Sequence, residues 1–399
     1  MCPAPTLPAV ELADDRLDRG PWVYGRRVRT PRQDIAPGSL VEVLDASDRF
    51  VGHALYNPHS DIRLRWLSRG RRTDLDKPER FLLARLKAAD DLRRKALRLP
   101  EFTDAYRICH GEGDDLPGLV VDRLGPFLVC EHHALGFWNL RGEVERALLQ
   151  LYPSAEVVHR VPNSALGSEG FSDAERAAAE AAGELTREVE ITEHGIVYPL
   201  LPGKGHKTGF FCDQRENRRH FGSMARGRRV YDLCCNTGGF GLHAARGGAR
   251  YVLSLDLDEV VLERAHGAAA RNQLEVDFAH ADAFHALRGL IDAGKRAELV
   301  VLDPPKLAMG KSRLEDALKK YHDLNALALS VLEPGGLLMT FSCSGALDTS
   351  GFLGAVFSSA RRAGREIRLL EVLGPGPDHP QRPDHPRSRY LKGALVAAD

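Results

Sequence analysis

Cysteine is scarce, with seven in 399 residues, and the number is odd. They are scattered through a long chain rather than packed into the dense framework of a secreted scaffold, so they read as reduced thiols, most of them buried and inert. Paired CxxC spacing is absent. Cys109-His110 and the run "CEHH" at Cys130, His132 and His133 therefore make no convincing zinc site, and no metal is expected. No apolar run approaches the about 18 residues that a membrane span needs, and "MCPAPTLPAVELADD" lacks the basic start of a signal peptide. No membrane partner is expected, and the cytoplasm is the default compartment. Repeats of fixed period are also absent.

Net charge is missing too: 55 basic residues balance 55 acidic ones, which argues against non-specific coating of nucleic acid. The distribution is lopsided, however. Residues 19 to 32 and 62 to 72 contain no acid, and residues 215 to 229 contain only Glu216. Arginines interleaved with Trp22, Tyr24 and Trp66 suit phosphate contacts and base stacking. A solvated strand face with core aromatics explains any one stretch equally well, but two in one short segment favour RNA. Arg19, Trp22, Arg26, Arg27, Arg63 and Arg65 are the candidate RNA contacts.

Residues 1 to 73 read as a small β-barrel, with "SLVEVLDA", "FVGHALYN" and "DIRLRWLS" as strands between Pro-Gly, Asn-Pro and Ser-Asp punctuation. Residues 74 to 200 mix strands and helices. Leu82, Leu86, Ala89, Leu92 and Ala96 recur at helical spacing between Pro78 and Leu99, and Ser172 with Glu175 forms a capping box at the head of an Ala/Glu-rich run. From 201 to 399 the pattern alternates β and α, with the near-continuous apolar strands of a buried parallel sheet. "RRVYDLCC", "YVLSLDL", "VDFAHAD", "ELVVLDPP" and "GLLMTFSC" are its expected strands, and "REIRLLEVLG" and "YLKGALVA" close it.

The strand "VYDLCC" runs through Asp232 into a turn with Asn236, Gly238, Gly239 and Gly241 that opens a helix, the arrangement that lets backbone approach a ligand at a helix N-terminus. Asp256 ends the next strand about 20 residues later, where a carboxylate binds ribose hydroxyls. Asp282, followed by Ala283, ends the third and is placed for an adenine amino group. These features fit a dinucleotide or S-adenosylmethionine. The fourth strand discriminates: Asp303-Pro304-Pro305 stiffens the substrate edge and leaves carbonyls to face a base, for which a dehydrogenase has no evident use.

The fifth strand ends in "FSCS", with Cys343 beside Asp303 of the fourth. A thiolate and a carboxylate in one cleft answer a specific problem. C5 of cytosine or uracil is a poor nucleophile until a thiolate adds to C6, and an adjacent acid can hold N3 and N4 of the ring. Position alone leaves Cys343 undecided between this role and that of a buried strand-end thiol. A transferase acting on a ring or exocyclic nitrogen, and an RNA-binding protein with an inactive domain, are the other readings.

"RGPWVY", "HGEGDDLPGLVVDRLG", "GHKTGFFCDQRENR", "NTGGFGLHAARGGA", "VLDPPKLA", "FSCS" and "DHPRSRYLKG" together resemble, in order and over nearly the whole chain, the bacterial 23S ribosomal RNA 5-methylcytosine methyltransferases related to large-subunit methyltransferase I. The resemblance implies an α/β architecture: a PUA-like barrel, a small middle α/β domain and a Rossmann-like class I methyltransferase domain. It implies S-adenosylmethionine as cofactor and ribosomal RNA as partner; a homodimer is compatible with it, though no residue requires one. It further implies that Lys207, Thr208, Asp213, Gln214 and Arg215 lie near the cofactor, that Asp256, Asp282 and Asp303 contact it or the base, and that Cys343 is the nucleophile. Asp232, Asn236, Gly238 and Ala283 complete the candidate cofactor set. Leu307 stands where the family pattern leads us to expect an aromatic residue.

Overall fold

A computed structural model describes residues 7–15, 20–70, 75, 77–183, 187–202, 209–307 and 314–399. The chain divides into two compact units. The first comprises Met1–Ile191, Leu200–Cys212 and Pro377–Ser388, and the second Thr192–Pro199, Asp213–Gly376 and Arg389–Asp399.

In the first unit, β1 (Ala9–Glu11), β2 (Trp22–Tyr24), β3 (Ser39–Leu44), β4 (Phe50–Tyr56) and β5 (Ile62–Arg69) form a sheet in the order β1-β3-β4-β5-β2. Val10, Val41, Val43, Leu64 and Trp66 fill it. A second sheet runs in sequence order through β6 (Ala105–His110), β7 (Leu119–Leu124), β8 (Phe127–His132) and β9 (Glu156–Arg160). Leu55 and Leu67 of the first sheet belong to the same buried cluster as Leu82, Tyr106, Val121 and Phe137, so the two sheets share apolar burial. A buried carboxylate ties the first sheet to the segment after β9: Glu169 accepts from Arg65 at 2.8 Å, Ser60 at 2.7 Å and Asn57 at 3.1 Å.

The helix expected from Pro78 onward begins there but changes phase. Pro78–Asp91 is α-helical and buries Leu82, Leu86 and Ala89, whereas Leu92–Ala96 is a π turn. One extra residue in the turn rotates the following face, so Leu92 is 37% exposed and Arg93 is fully buried. Arg93 is held by Asp114 through two bonds of 2.6 and 2.8 Å. The Ser172–Glu175 capping box is present, Ser172 Oγ accepting from the Glu175 amide at 3.3 Å and Glu175 from the Ser172 amide at 2.7 Å.

A hairpin of β10 (Val189–Glu193) and β11 (Ile196–Leu200) follows. The second unit is built on a seven-stranded sheet of β12 (Arg229–Leu233), β13 (Tyr251–Asp256), β14 (Asp277–His280), β15 (Ala297–Leu302), β16 (Leu332–Ser342), β17 (Ile367–Leu373) and β18 (Lys392–Ala398). The order is β14-β13-β12-β15-β16-β18-β17, parallel throughout except for β18, which runs antiparallel to both neighbours. One buried cluster holds Leu255, Leu302, Tyr321 and Phe352, and another Phe221, Phe240, Met339 and Phe341. Apolar burial on both faces explains why these strands read as continuous apolar runs. Strand order reverses between β12 and β15, which opens a crevice at their carboxyl ends. Among the described residues, no helix is long and apolar enough to cross a membrane.

Candidate active site

Every strand-end residue expected at the site lies on the carboxyl edge of the second unit's sheet. Asp232 is buried in β12, and its Oδ2 accepts from the Gly241 amide at 2.8 Å. Gly238 takes φ +76°, and a Cβ on Gly241 would stand 2.2 Å from Ser254 Oγ, so a left-handed turn and close packing of helix on strand fix these two as glycine. Non-glycine residues also take positive φ here, at Cys234 (64°) and Asn236 (50°), a strain that clusters at ligand sites. Asp256 ends β13 and accepts from the Asn236 amide at 2.8 Å and the Asp258 amide at 3.1 Å, which fixes the carboxylate at the turn. Asp282 caps the helix that begins at Ala283, its Oδ1 accepting from the His285 amide at 3.0 Å.

The residues at this edge fit an adenosine-bearing cation. The remaining Asp232 oxygen, Oδ1, is buried without a well-aligned hydrogen-bond partner. Burial first, then the carboxylates of Asp303 and Asp256, push the Asp232 carboxyl up to about 7. A donor or positive charge would satisfy that oxygen and offset the mutual repulsion. Cys234 and Cys235 pack here with thiols raised by burial and by these carboxylates.

Asp303 follows β15 directly, and its Oδ2 accepts from Gln214 Nε2 at 2.9 Å. Asn217 in turn donates to Gln214 Oε1 at 2.6 Å. Gln214 is thus set with its amide aimed at the acid. Asp213 is buried and accepts from the Tyr390 hydroxyl at 2.6 Å. Arg215 is fully buried and meets Glu216 at 3.1 Å; Arg218 is buried too, held by Glu193 at 2.7 Å through both carboxylate oxygens. The basic stretch from 215 is therefore partly interior. Lys207 and Thr208 lie outside the described residues.

Cys343 follows β16, the neighbour of β15, and is half-buried against Phe240, Met339 and Phe341. Leu302 pairs with Thr340, so Cys343 stands two residues, about 7 Å, beyond the level of Asp303 along the strand direction. Its flanking serines are fixed by Tyr321, a fully buried residue of the helix Leu314–Ser330. Ser342 donates to the Tyr321 hydroxyl at 3.0 Å, that hydroxyl meets Ser344 Oγ at 3.0 Å, and the Ser344 amide donates to Ser342 Oγ at 3.3 Å. The Leu307 backbone also hydrogen-bonds to Tyr321, so one phenol ties the Asp303 loop to the Cys343 loop. Sequence reasoning missed Tyr321, which reads as a core aromatic at helical spacing. It also missed Lys392, buried at the start of β18, whose Nζ donates to the carbonyls of Ser344 at 2.6 Å and Tyr390 at 2.8 Å.

In the first unit the candidate RNA residues separate by exposure. Arg26 is exposed. Arg27 pairs with Asp14 at 2.5 Å, and Arg63 donates to the Pro58 carbonyl. Trp22 donates to Glu112 at 3.0 Å and has its ring 4.3 Å from that of His385. Arg65 is 6% exposed and paired with Glu169, which corrects its place among the phosphate contacts: burial and the ion pair assign it to the fold. Arg19 lies outside the described residues. Among the described residues, no group of three or more His, Cys, Asp or Glu side chains is placed to hold a metal ion.

A class I fold with a glycine turn and carboxylates at its strand ends is the architecture of a methyltransferase, and the comparisons agree. Residues 12–69 match a PUA-like domain, and residues 170–392 match the S-adenosylmethionine-dependent methyltransferase family. The chain is 36% identical over 388 residues to "Ribosomal RNA large subunit methyltransferase I" of Aeromonas hydrophila, covering 96% of each chain. A relative of the same name in Tolumonas auensis is 36% identical over 98% of this chain and 99% of its own. A structure from Streptococcus mutans, described as a SAM-dependent methyltransferase, has TM-score 0.79 and 20% identity over 98% of this chain and all of its own, which shows the fold alone. The chain belongs to the S-adenosylmethionine-dependent methyltransferases, and among them to the ribosomal RNA large subunit methyltransferase I family. S-adenosylmethionine is its cofactor.

Proposed function

We propose that the protein forms 5-methylcytosine in 23S ribosomal RNA through a covalent adduct of Cys343. What carries the reading is the placement of Cys343 and Asp303 at the ends of adjacent strands, with one tyrosine fixing both loops. The names of relatives 36% identical over almost the whole chain support ribosomal RNA as substrate, and a ribosomal RNA substrate supports the cytoplasm as the compartment.

S-adenosylmethionine, when bound, supplies an electrophilic methyl group. Asp232, Asn236, Gly238, Asp256, Asp282 and Ala283 would hold it from the strand ends, and the family resemblance adds Lys207, Thr208, Asp213 and Arg215 to the same set. The Cys343 sulfur adds to C6 of cytosine, and the C5–C6 π pair moves to C5. C5 takes the methyl group and then gives its proton to solvent, and the electron pair returns as the C6–S bond breaks, freeing the thiolate. Asp303, oriented by Gln214, binds the N3–N4 edge and stabilises charge as the adduct forms. Arg19, Arg26, Arg27, Arg63 and Trp22, in residues 1–73, engage the RNA backbone; residues 74–200 and 201–399 are the middle and catalytic domains.

Incubating 23S ribosomal RNA with enzyme and methyl-deuterated S-adenosylmethionine, then digesting to nucleosides, tests the product by mass spectrometry. Labelled 5-methylcytidine is expected. Label in 5-methyluridine or on a nitrogen overturns the base assignment.

A further inference from the structure

Lys392 is an expensive residue where it sits. An ammonium group removed from water costs several kcal/mol unless it is compensated, yet Lys392 is only 2% exposed. Two of its three donors are used, on the Ser344 and Tyr390 carbonyls. Those two carbonyls come from the residue after Cys343 and from the tyrosine that binds Asp213. Lys392 also pairs across the strands with Ser342, the residue before Cys343. The ammonium is thereby held by the carbonyl of the residue after Cys343, while the Lys392 backbone pairs with the residue before it.

We infer that Lys392 is the positioning residue that holds Cys343 as a reactive thiolate, its positive charge standing beside the sulfur at neutral pH. The inference rests on the reading of Cys343 as nucleophile and adds the group that prepares it. A cationic neighbour is a general means of lowering a thiol's proton affinity. The groups around the pair set its range. Burial lowers the Lys392 ammonium to about 8, Cys343 and Asp348 oppose that shift, and Lys306 adds to it. Tyr321, bonded to the serines on either side of Cys343, is a neutral phenol raised above its ordinary range by burial. Below pH 8 Lys392 keeps its charge, and the thiolate is favoured. Above it the amine turns neutral, and that assistance fades.

A merely structural lysine would tie two carbonyls and leave the thiol unaltered, so the test reads the thiol itself. The full-length protein is alkylated with iodoacetamide from pH 6 to 9, and modification of Cys343 is followed by mass spectrometry of its peptide. The wild type is expected to react with a midpoint below the ordinary thiol value of about 8.5. Lys392→Gln, which keeps a donor but no charge, is expected to raise the midpoint by about a unit and slow alkylation at pH 7 about tenfold; Lys392→Arg is expected to stay near wild type. A wild-type midpoint at or above 8.5, or a folded Lys392→Gln with an unchanged midpoint, overturns the inference. Because no RNA is present, these results do not depend on Cys343 attacking a base. A lowered midpoint without any RNA adduct would sink the nucleophile reading and leave the lysine's effect on the thiol standing.

Discussion

Gln214 Nε2 donates to Asp303 Oδ2 across 2.9 Å, and its own oxygen is taken by Asn217 at 2.6 Å. The amide therefore has one orientation, with its nitrogen aimed at the Asp303 carboxylate.

Gln214→Leu removes that donor while preserving much of the volume. A hydrogen bond to a charged group contributes about 1.5–3 kcal/mol, so methyl transfer is expected to slow about 10- to 100-fold. Gln214→Glu sets two carboxylates together and is expected to be worse at pH 8 than at pH 6. Steady-state rates across that range check both.

Tyr321→Phe keeps the aromatic core packing and loses only the hydroxyl that joins Ser342, Ser344 and Leu307. The buried serines lose a partner, at a cost of about 1–3 kcal/mol. The melting temperature is expected to fall by several degrees and kcat to fall about tenfold, with S-adenosylmethionine affinity by calorimetry within about twofold of wild type.

Asp232 gives a pH dependence whose sign is fixed. Its carboxyl, raised to about 7 in the folded protein, releases its proton near 4 when unfolded. Between those values the folded chain holds a proton that the unfolded chain has lost, so this group's contribution to stability falls as pH rises from about 4 to 7. The ligand-free melting temperature is expected to decline over that window and Asp232→Asn to flatten the decline. A cationic ligand favours the carboxylate, so S-adenosylmethionine affinity is expected to rise from pH 6 to 8, with proton release detected calorimetrically. Equal affinity at both ends would contradict this.

Arg26 and Arg65 are expected to behave oppositely despite sharing a basic neighbourhood in sequence. Arg26→Ala weakens RNA binding and lowers the salt slope by about one, with an unchanged melting temperature. Arg65→Ala strands the buried Glu169 carboxylate, and losing one partner of a buried pair costs about 3–5 kcal/mol. Filter binding across salt concentrations, beside thermal melts, separates the two.

The sheet was legible because burial on both faces writes itself as local apolar runs, and because its site acids fall at strand ends. Asp232, Asp256, Asp282, Asp303 and Cys343 all sit on the carboxyl edge expected from spacing. What stayed hidden depends on partners distant in sequence. Arg65 reads as a free cation until Glu169 arrives from 104 positions away, and Arg218 until Glu193 does from 25. Leu92 reads as core until a π turn exchanges it for Arg93. Tyr321 and Lys392 carry no motif of their own, since their importance lies in which backbone they reach. Glu169 itself gave no signal.

The central claim is that Cys343 attacks C6 of cytosine, and RNA containing 5-fluorocytidine tests it most directly, because fluorine cannot leave C5 as a proton does. With S-adenosylmethionine present, the wild-type protein is expected to remain covalently attached to the RNA on a denaturing gel, and Cys343→Ala to form no adduct while binding cofactor as tightly as wild type. Methylation by Cys343→Ala at near the wild-type rate, or an adduct that survives the substitution, would contradict the account.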